Sequence, residues 1–290
     1  MTGNANLTGA VMMMASMAFF TLNDAIVKLV AQDVPLFQLV FLRGVATTLM
    51  LAAMVYMAGR LRFSIPRGDR AKVTWRTLLE VATMVAFLIA LTNMPLANAT
   101  AILAALPLFV TLGAWMFLGH PIGWRRLVAI LIGFVGVMLI VQPGTDGFNA
   151  YALLALFAVI LITARDLVTR CFSDKVPSMT VAVITAVGVT AFGGAASVFE
   201  TWVALDLRSA ALILGASIFI IGAYICSIRA MRVGDISFVS PFRYTSLVWA
   251  LILGVVIFAE FPNALALTGA AIVVATGLFT LWRERQVQHG

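Results

Sequence analysis

Thr21-Leu22-Asn23-Asp24, followed by Lys28 and Val34-Pro35, returns 142 positions later as Thr163-Ala164-Arg165-Asp166, Arg170 and Val176-Pro177. A second alignment, offset by 137, lays Met94-Pro95-Leu96-Ala97-Asn98-Ala99-Thr100 over Met231-Arg232-Val233-Gly234-Asp235-Ile236-Ser237. A three-residue slip then brings Gly119-His120 onto Ala259-Glu260. Duplication inside a very apolar chain points to a membrane transporter built from two related halves, residues 1–146 and 147–290.

Composition agrees. The chain has 290 residues, 62% of them apolar and only 11% charged, against about 45–50% and about 25% in soluble proteins. A helix needs about 20 apolar residues to cross the hydrocarbon core, so ten spans use roughly 200 residues and leave short connections. The net charge of +7 could suggest nucleic acid, but the cations sit in short loops between apolar runs, a membrane pattern. Cys171 and Cys226 make neither a disulfide framework nor a metal motif. Residues 1–7 carry no Lys or Arg and lead straight into an apolar run, which predicts a retained first helix rather than a cleaved leader.

The predicted spans are 7–31, 36–58, 73–92, 97–118, 124–142, 150–171, 179–202, 209–229, 236–258 and 264–282. Pro and Gly residues punctuate most of the connections. Loops on one side hold thirteen Lys and Arg, among them Arg60, Arg62, Arg67, Arg70 and Lys72, while the other side offers only Lys28 and Arg208. Both termini are therefore expected in the cytoplasm. Five spans per half is an odd number, so the halves should be inverted, and the fold is an all-α membrane protein of two inverted five-helix repeats.

Asn93-Met94-Pro95-Leu96-Ala97-Asn98-Ala99-Thr100, Leu106-Pro107-Leu108-Phe109 and Phe117-Leu118-Gly119-His120 resemble the end of an EamA domain of the drug/metabolite transporter superfamily. Ser240-Pro241, Phe258-Ala259-Glu260, Gly269 and Gly277 resemble the same pattern in the second half. His120 replaces the family's helix-ending Glu in the first half, and its glycines fall at Gly133 and Gly136. Among members the chain looks most like the YddG-type amino acid exporters. The resemblance implies a central cavity lined by spans 3, 4, 8 and 9 with parts of 1 and 6. It also implies helix breaks at Pro107 and Pro241 and a place in the bacterial inner membrane.

Ionisable residues at membrane depth are costly and so are functional candidates. Asp24 and Lys28 lie four apart on the first span, and Asp166 with Arg170 repeats this on the sixth. They read as paired gates, or more plainly as local ion pairs. Arg43, Arg165 and Arg243 sit too deep for easy snorkelling. A guanidinium in a cavity suits a substrate carboxylate, and Arg243 stands beside Pro241 and Tyr244. Glu80, Met84 and Phe87 form one stripe on the third span; Ser217, Ile221 and Tyr224 match it on the eighth. With Asn23, these are the candidate substrate-binding residues. Glu80 could hold an ammonium, carry a proton, or simply pair with Arg76. Trp75, Trp124, Trp202 and Trp282 read as interfacial anchors, and Trp115 and Trp249 as packing at the repeat interface.

The sequence holds no phosphate loop with Lys-Ser/Thr, no His-Glu-x-x-His and no Gly-x-Gly-Asp. His120 and His289 are placed wrongly for a metal site. The expectation is thus a secondary transporter, not an enzyme, with no cofactor and no nucleic-acid partner. It works as a monomer in the lipid bilayer by alternating access. Export of small metabolites, with amino acids first, is the main reading; a drug or other metabolite carrier of the same fold is the alternative.

Overall fold

In a computed structural model, residues 3–57, 65–119, 123–143, 148–173, 175–233 and 236–288 are described. Arg60, Arg62, His120, Asp235, His289 and the proposed boundary at 146/147 lie outside them. Twelve α-helices follow one another: α1 (Gly3–Val30), α2 (Leu36–Met57), α3 (Arg67–Asn93), α4 (Leu96–Leu103), α5 (Leu106–Leu118), α6 (Trp124–Val141), α7 (Ala150–Arg170), α8 (Ser178–Ser197), α9 (Leu207–Val233), α10 (Ile236–Val239), α11 (Thr245–Phe258) and α12 (Ala264–Gln288). They make ten stretches long and apolar enough to cross a membrane. The predicted fourth span is α4 plus α5, and the ninth is α10, a 3-10 turn over Ser240–Tyr244, and α11.

Both interruptions have a chemical cause. Pro107 and Pro241 each stand at the start of the segment that follows the break. Neither has an N–H to give the carbonyl one turn earlier, so the regular ladder cannot run through. The breaks fall in the fourth and ninth spans, which correspond under the repeat.

The most extensive packing joins α1 with α9, α3 with α7, α2 with α8 and α6 with α12. In span order these pairs are 1·8, 6·3, 2·7 and 5·10, a set unchanged when each span is exchanged for its repeat mate. Thr48 and Thr190, separated by the repeat offset of 142, meet each other with hydroxyl oxygens 3.0 Å apart. Where α6 crosses α12, a Cβ on Gly269 would strike the Gly136 carbonyl. Glycine is needed there because the two backbones touch.

The core is not centred. Its main cluster gathers the last turns of α1 (Val27, Val30), the first of α2 (Leu39, Val40), the last of α3 (Leu88, Leu91), α4 (Leu96, Ile102) and the first turns of α7 and α9 (Ala152, Ile213). All of these lie toward the distal end of the bundle, where α1 hands over to α2. Among the described residues, the other end has a smaller cluster of Met13, Met17, Ala230 and Val239. Trp75, Trp124, Trp202 and Trp282 are exposed near span ends. Trp115 and Trp249, expected in packing, are instead 44% and 37% exposed. Their helices are packed mainly through other faces, and the indoles turn outward.

Candidate functional site

The spacing of charges on single helices suggests local pairs, but the helices bring together different partners. Lys28, 6% exposed, donates to Glu260 Oε1 at 2.7 Å and to the Met94 carbonyl at 2.6 Å. Glu260 Oε2 in turn accepts from the Leu96 N–H at 3.0 Å. The left-handed backbone at Ala259 (φ 53°) ends α11 and turns the chain so that Glu260 can reach this point. Asp24 therefore does not pair with Lys28. Likewise Asp166 accepts from Arg165, its neighbour, at 2.8 Å. Arg170 is exposed, with no hydrogen bond or ion pair among the described residues. A buried ammonium at the distal end finds a carboxylate and a carbonyl ready, whereas Arg170 at the other end is exposed.

Two polar clusters lie between the ends. The first is nearer the distal end: Arg43 on α2 donates to Asn23 Oδ1 at 2.9 Å, and Asn23 Nδ2 donates to Asp24 Oδ1 at 2.9 Å. The second is nearer the terminal end: Arg165 on α7 reaches both oxygens of Glu80 on α3, at 3.1 and 3.0 Å. Arg76, one turn before Glu80, adds a 3.7 Å contact to Glu80 and donates to the Thr185 hydroxyl at 2.6 Å. Under the repeat Asn23 corresponds to Arg165 and Arg43 to Thr185. The residues at offset 142 thus fall in both clusters, with different charges.

Tyr224 stands between them. Its ring meets Phe20 edge to face at 5.2 Å, its side is 54% exposed, and its hydroxyl lies within electrostatic reach of Glu80, Arg165, Arg76 and Arg43. Arg243 is exposed and makes no hydrogen bond or salt bridge among the described residues; the charge acting on it is Asp166.

Other sequence candidates have different surroundings. Met84 and Phe87 are half-buried against the distal core. Ser217 is fully buried, donating to the Ile213 carbonyl at 2.9 Å and lying 3.4 Å from the Arg43 carbonyl. Tyr244 is buried, its hydroxyl without a hydrogen-bond partner among the described residues and close against Gly277. Three features escaped sequence reasoning: the Lys28–Glu260 pair, the Arg43–Asn23 contact, and Glu200, which accepts from the N–H groups of Phe37 and Gln38 at the start of α2. Helix-ending carboxylates at Glu200 and Glu260 were the available signal. A cavity of about 290 Å³, lined by Asp33, Asp206 and Arg208 among others, lies apart from both clusters near the distal surface.

Among the described residues, ten helical stretches are long and apolar enough to cross a membrane, two of them are broken, and a belt of charged groups lies between their ends. Residues 7–142 match the EamA-like transporter family, in keeping with the resemblance to drug/metabolite transporters carried by the sequence. It is 27% identical to the S-adenosylmethionine uptake transporter of Rickettsia felis over 97% of this chain and 94% of that one. It is 29% identical to the riboflavin transporter of Vibrio cholerae, over 66% and 65%. It is 24% identical to the pseudopaline exporter CntI of Pseudomonas aeruginosa, over 90% and 91%. A solved crystal structure shares the fold with a TM-score of 0.68, at 20% identity over 99% of each chain. These likenesses make the chain a transporter of small metabolites in the bacterial inner membrane. They do not single out amino acids or the YddG type.

Proposed function

We propose that the protein is an alternating-access carrier for a small metabolite that bears a carboxylate. The guanidinium of Arg243 supports this most strongly, since it is exposed and makes no hydrogen bond or salt bridge among the described residues. Glu80, clamped by Arg165 and Arg76, offers acceptor oxygens to a substrate ammonium, and Tyr224 presents an aromatic edge beside them. The broader metabolite-carrier reading now replaces amino-acid export as the first choice, because the full-length relatives are named for S-adenosylmethionine and pseudopaline. S-adenosylmethionine carries an amino-acid head group, so a zwitterionic head is the chemistry that fits both the belt and these relatives. Uptake and export both occur among them, and the gradient sets net direction.

Two inverted repeats around one site account for the symmetric pairing of spans and the Thr48–Thr190 contact. With the termini in the cytoplasm, the packed distal end is the outer one. The belt is then reached from inside, and Lys28–Glu260 is the outer lock that replaces the local gate pairs.

Ligand-induced stabilisation tests the substrate class, because a ligand bound only to the folded carrier raises its melting temperature. Screening zwitterionic, anionic and neutral metabolites should yield shifts with carboxylate-bearing compounds that vanish in Arg243→Ala. Shifts confined to neutral compounds would refute the reading.

A further inference from the structure

Glu80 was the sequence's candidate for a proton carrier, but Arg165 binds both its oxygens and Arg76 stands beside it. Both of its oxygens are thus already engaged by a cation. Asp24 is placed differently. It lies on α1 within the span, half-buried, and among the described residues has a single hydrogen-bond partner, the Asn23 amide at 2.9 Å. It has no ion pair within 4.0 Å among the described residues. Its natural counter-ion, Arg43, is diverted onto Asn23 Oδ1.

Arg43 on α2 faces Asp24, and Tyr224 on α9 acts on Arg43 in turn; Lys28 lies further along α1, while Glu80 and Arg76 on α3 and Arg243 and Tyr244 in the 3-10 turn belong to elements packed against α1. Lys28 is held by Glu260, and Arg243 responds to Asp166. Arg43 is the charge that acts on Asp24, and it does so without a direct bond. An ionised carboxylate at membrane depth needs a paired cation or a proton. Here the pairing is absent while the cation stands one side chain away.

We propose that Asp24 is the proton-binding group that ties substrate movement to a transmembrane proton gradient, an inference that rests on the carrier reading above. When Asp24 is ionised, Asn23 and Asp24 both offer acceptors to Arg43, and α1 and α2 are drawn together. When Asp24 takes up a proton from the water-accessible side, only Asn23 still holds Arg43, and the contact is loosened. The step is a simple protonation, carboxylate plus proton giving carboxylic acid, with no other reactant. It makes the distal contact between α1 and α2 sensitive to proton activity.

The test compares wild type, Asp24→Asn, Asp24→Glu and Glu80→Gln in proteoliposomes with radiolabelled S-adenosylmethionine as probe. Exchange is measured without a pH gradient, and net accumulation with one imposed. The expected result is gradient-dependent accumulation in wild type and Asp24→Glu, lost in Asp24→Asn while exchange persists. Exchange in wild type that ignores the gradient would overturn the proton proposal and leave the carrier reading intact. A gradient response that survives in Asp24→Asn would also overturn it. If wild type exchanges no probe at all, the failure belongs to the substrate reading. Infrared titration of the purified protein then decides the proton site: a protonated-carboxyl band must be absent from Asp24→Asn and present in Glu80→Gln, and the reverse would refute the assignment.

Discussion

Lys28 Nζ lies 2.7 Å from Glu260 Oε1, and this contact joins the end of α1 to the end of α11 with the α3–α4 turn between them. Removing one partner of a buried pair costs about 3–5 kcal/mol because the other is left uncompensated. Glu260 keeps 27% exposure, so Glu260→Gln should cost about 2–3 kcal/mol. Lys28→Met combined with Glu260→Gln should recover most of that loss, since no ammonium then remains unpaired. Thermal melts of the four species give the coupling directly. Additive losses would mean that the pair does not act as a unit.

Arg243 should matter through affinity. Arg243→Ala is expected to raise the half-saturating concentration of a carboxylate-bearing substrate at least about tenfold, the equivalent of about 1.4 kcal/mol. Arg243→Lys should be intermediate, because an ammonium cannot make the planar two-point contact. Initial-rate transport at several concentrations separates this from a loss of folded protein.

Tyr244 and Gly277 make the opposite kind of contact, one with no room. A Cβ at position 277 would collide with the Tyr244 hydroxyl, so Gly277→Ala should cost about 1–3 kcal/mol by overpacking. It should also weaken transport, since Tyr244 adjoins Arg243. Tyr244→Phe removes the struck oxygen and should rescue part of the loss. Alone, it should be neutral or stabilising, because that buried hydroxyl has no partner. Detergent-stability assays of the three variants check each step.

Asp206 supplies a pH prediction outside the spans. Its carboxylate accepts from the Ser209 N–H at 2.9 Å, capping α9, and hydrogen bonds from Ser209 hold it below the ordinary aspartate value of 3.8. A depressed acid stabilises the fold at pH above its unfolded value and loses that contribution as pH falls through the folded one. Protection of the first turn of α9 against hydrogen exchange should therefore drop below pH 3.8, and Asp206→Asn should show less of this change. Equal behaviour in both proteins would remove the cap as the cause.

Much of this was legible in the chain. Span positions follow from apolar run length, and the breaks at Pro107 and Pro241 follow from proline's missing N–H. The duplicated Asp24 and Asp166 marked the regions where both polar clusters sit. What could not be read was pairing between helices. Spacing on one helix suggests Asp24 with Lys28, yet Lys28 meets Glu260, 232 positions away. Arg43 on α2 meets Asn23 on α1 through a contact between helices, which no periodicity contains. Tyr244, taken as a cavity residue because it follows Arg243, points the other way: successive residues of a helical turn face different directions, and Gly277 leaves a gap that the ring fills. Trp115 and Trp249 failed for a similar reason, since repeat-matched positions need not face the repeat interface.

The central claim is one substrate site that faces either end of the bundle in turn. Trans-stimulation in proteoliposomes tests it most directly: efflux of radiolabelled S-adenosylmethionine is followed with and without unlabelled compound outside. The account predicts saturable efflux that quickens when substrate waits on the far side, and loss of that effect in Arg243→Ala. Flux that rises linearly with concentration and ignores the far side would contradict it.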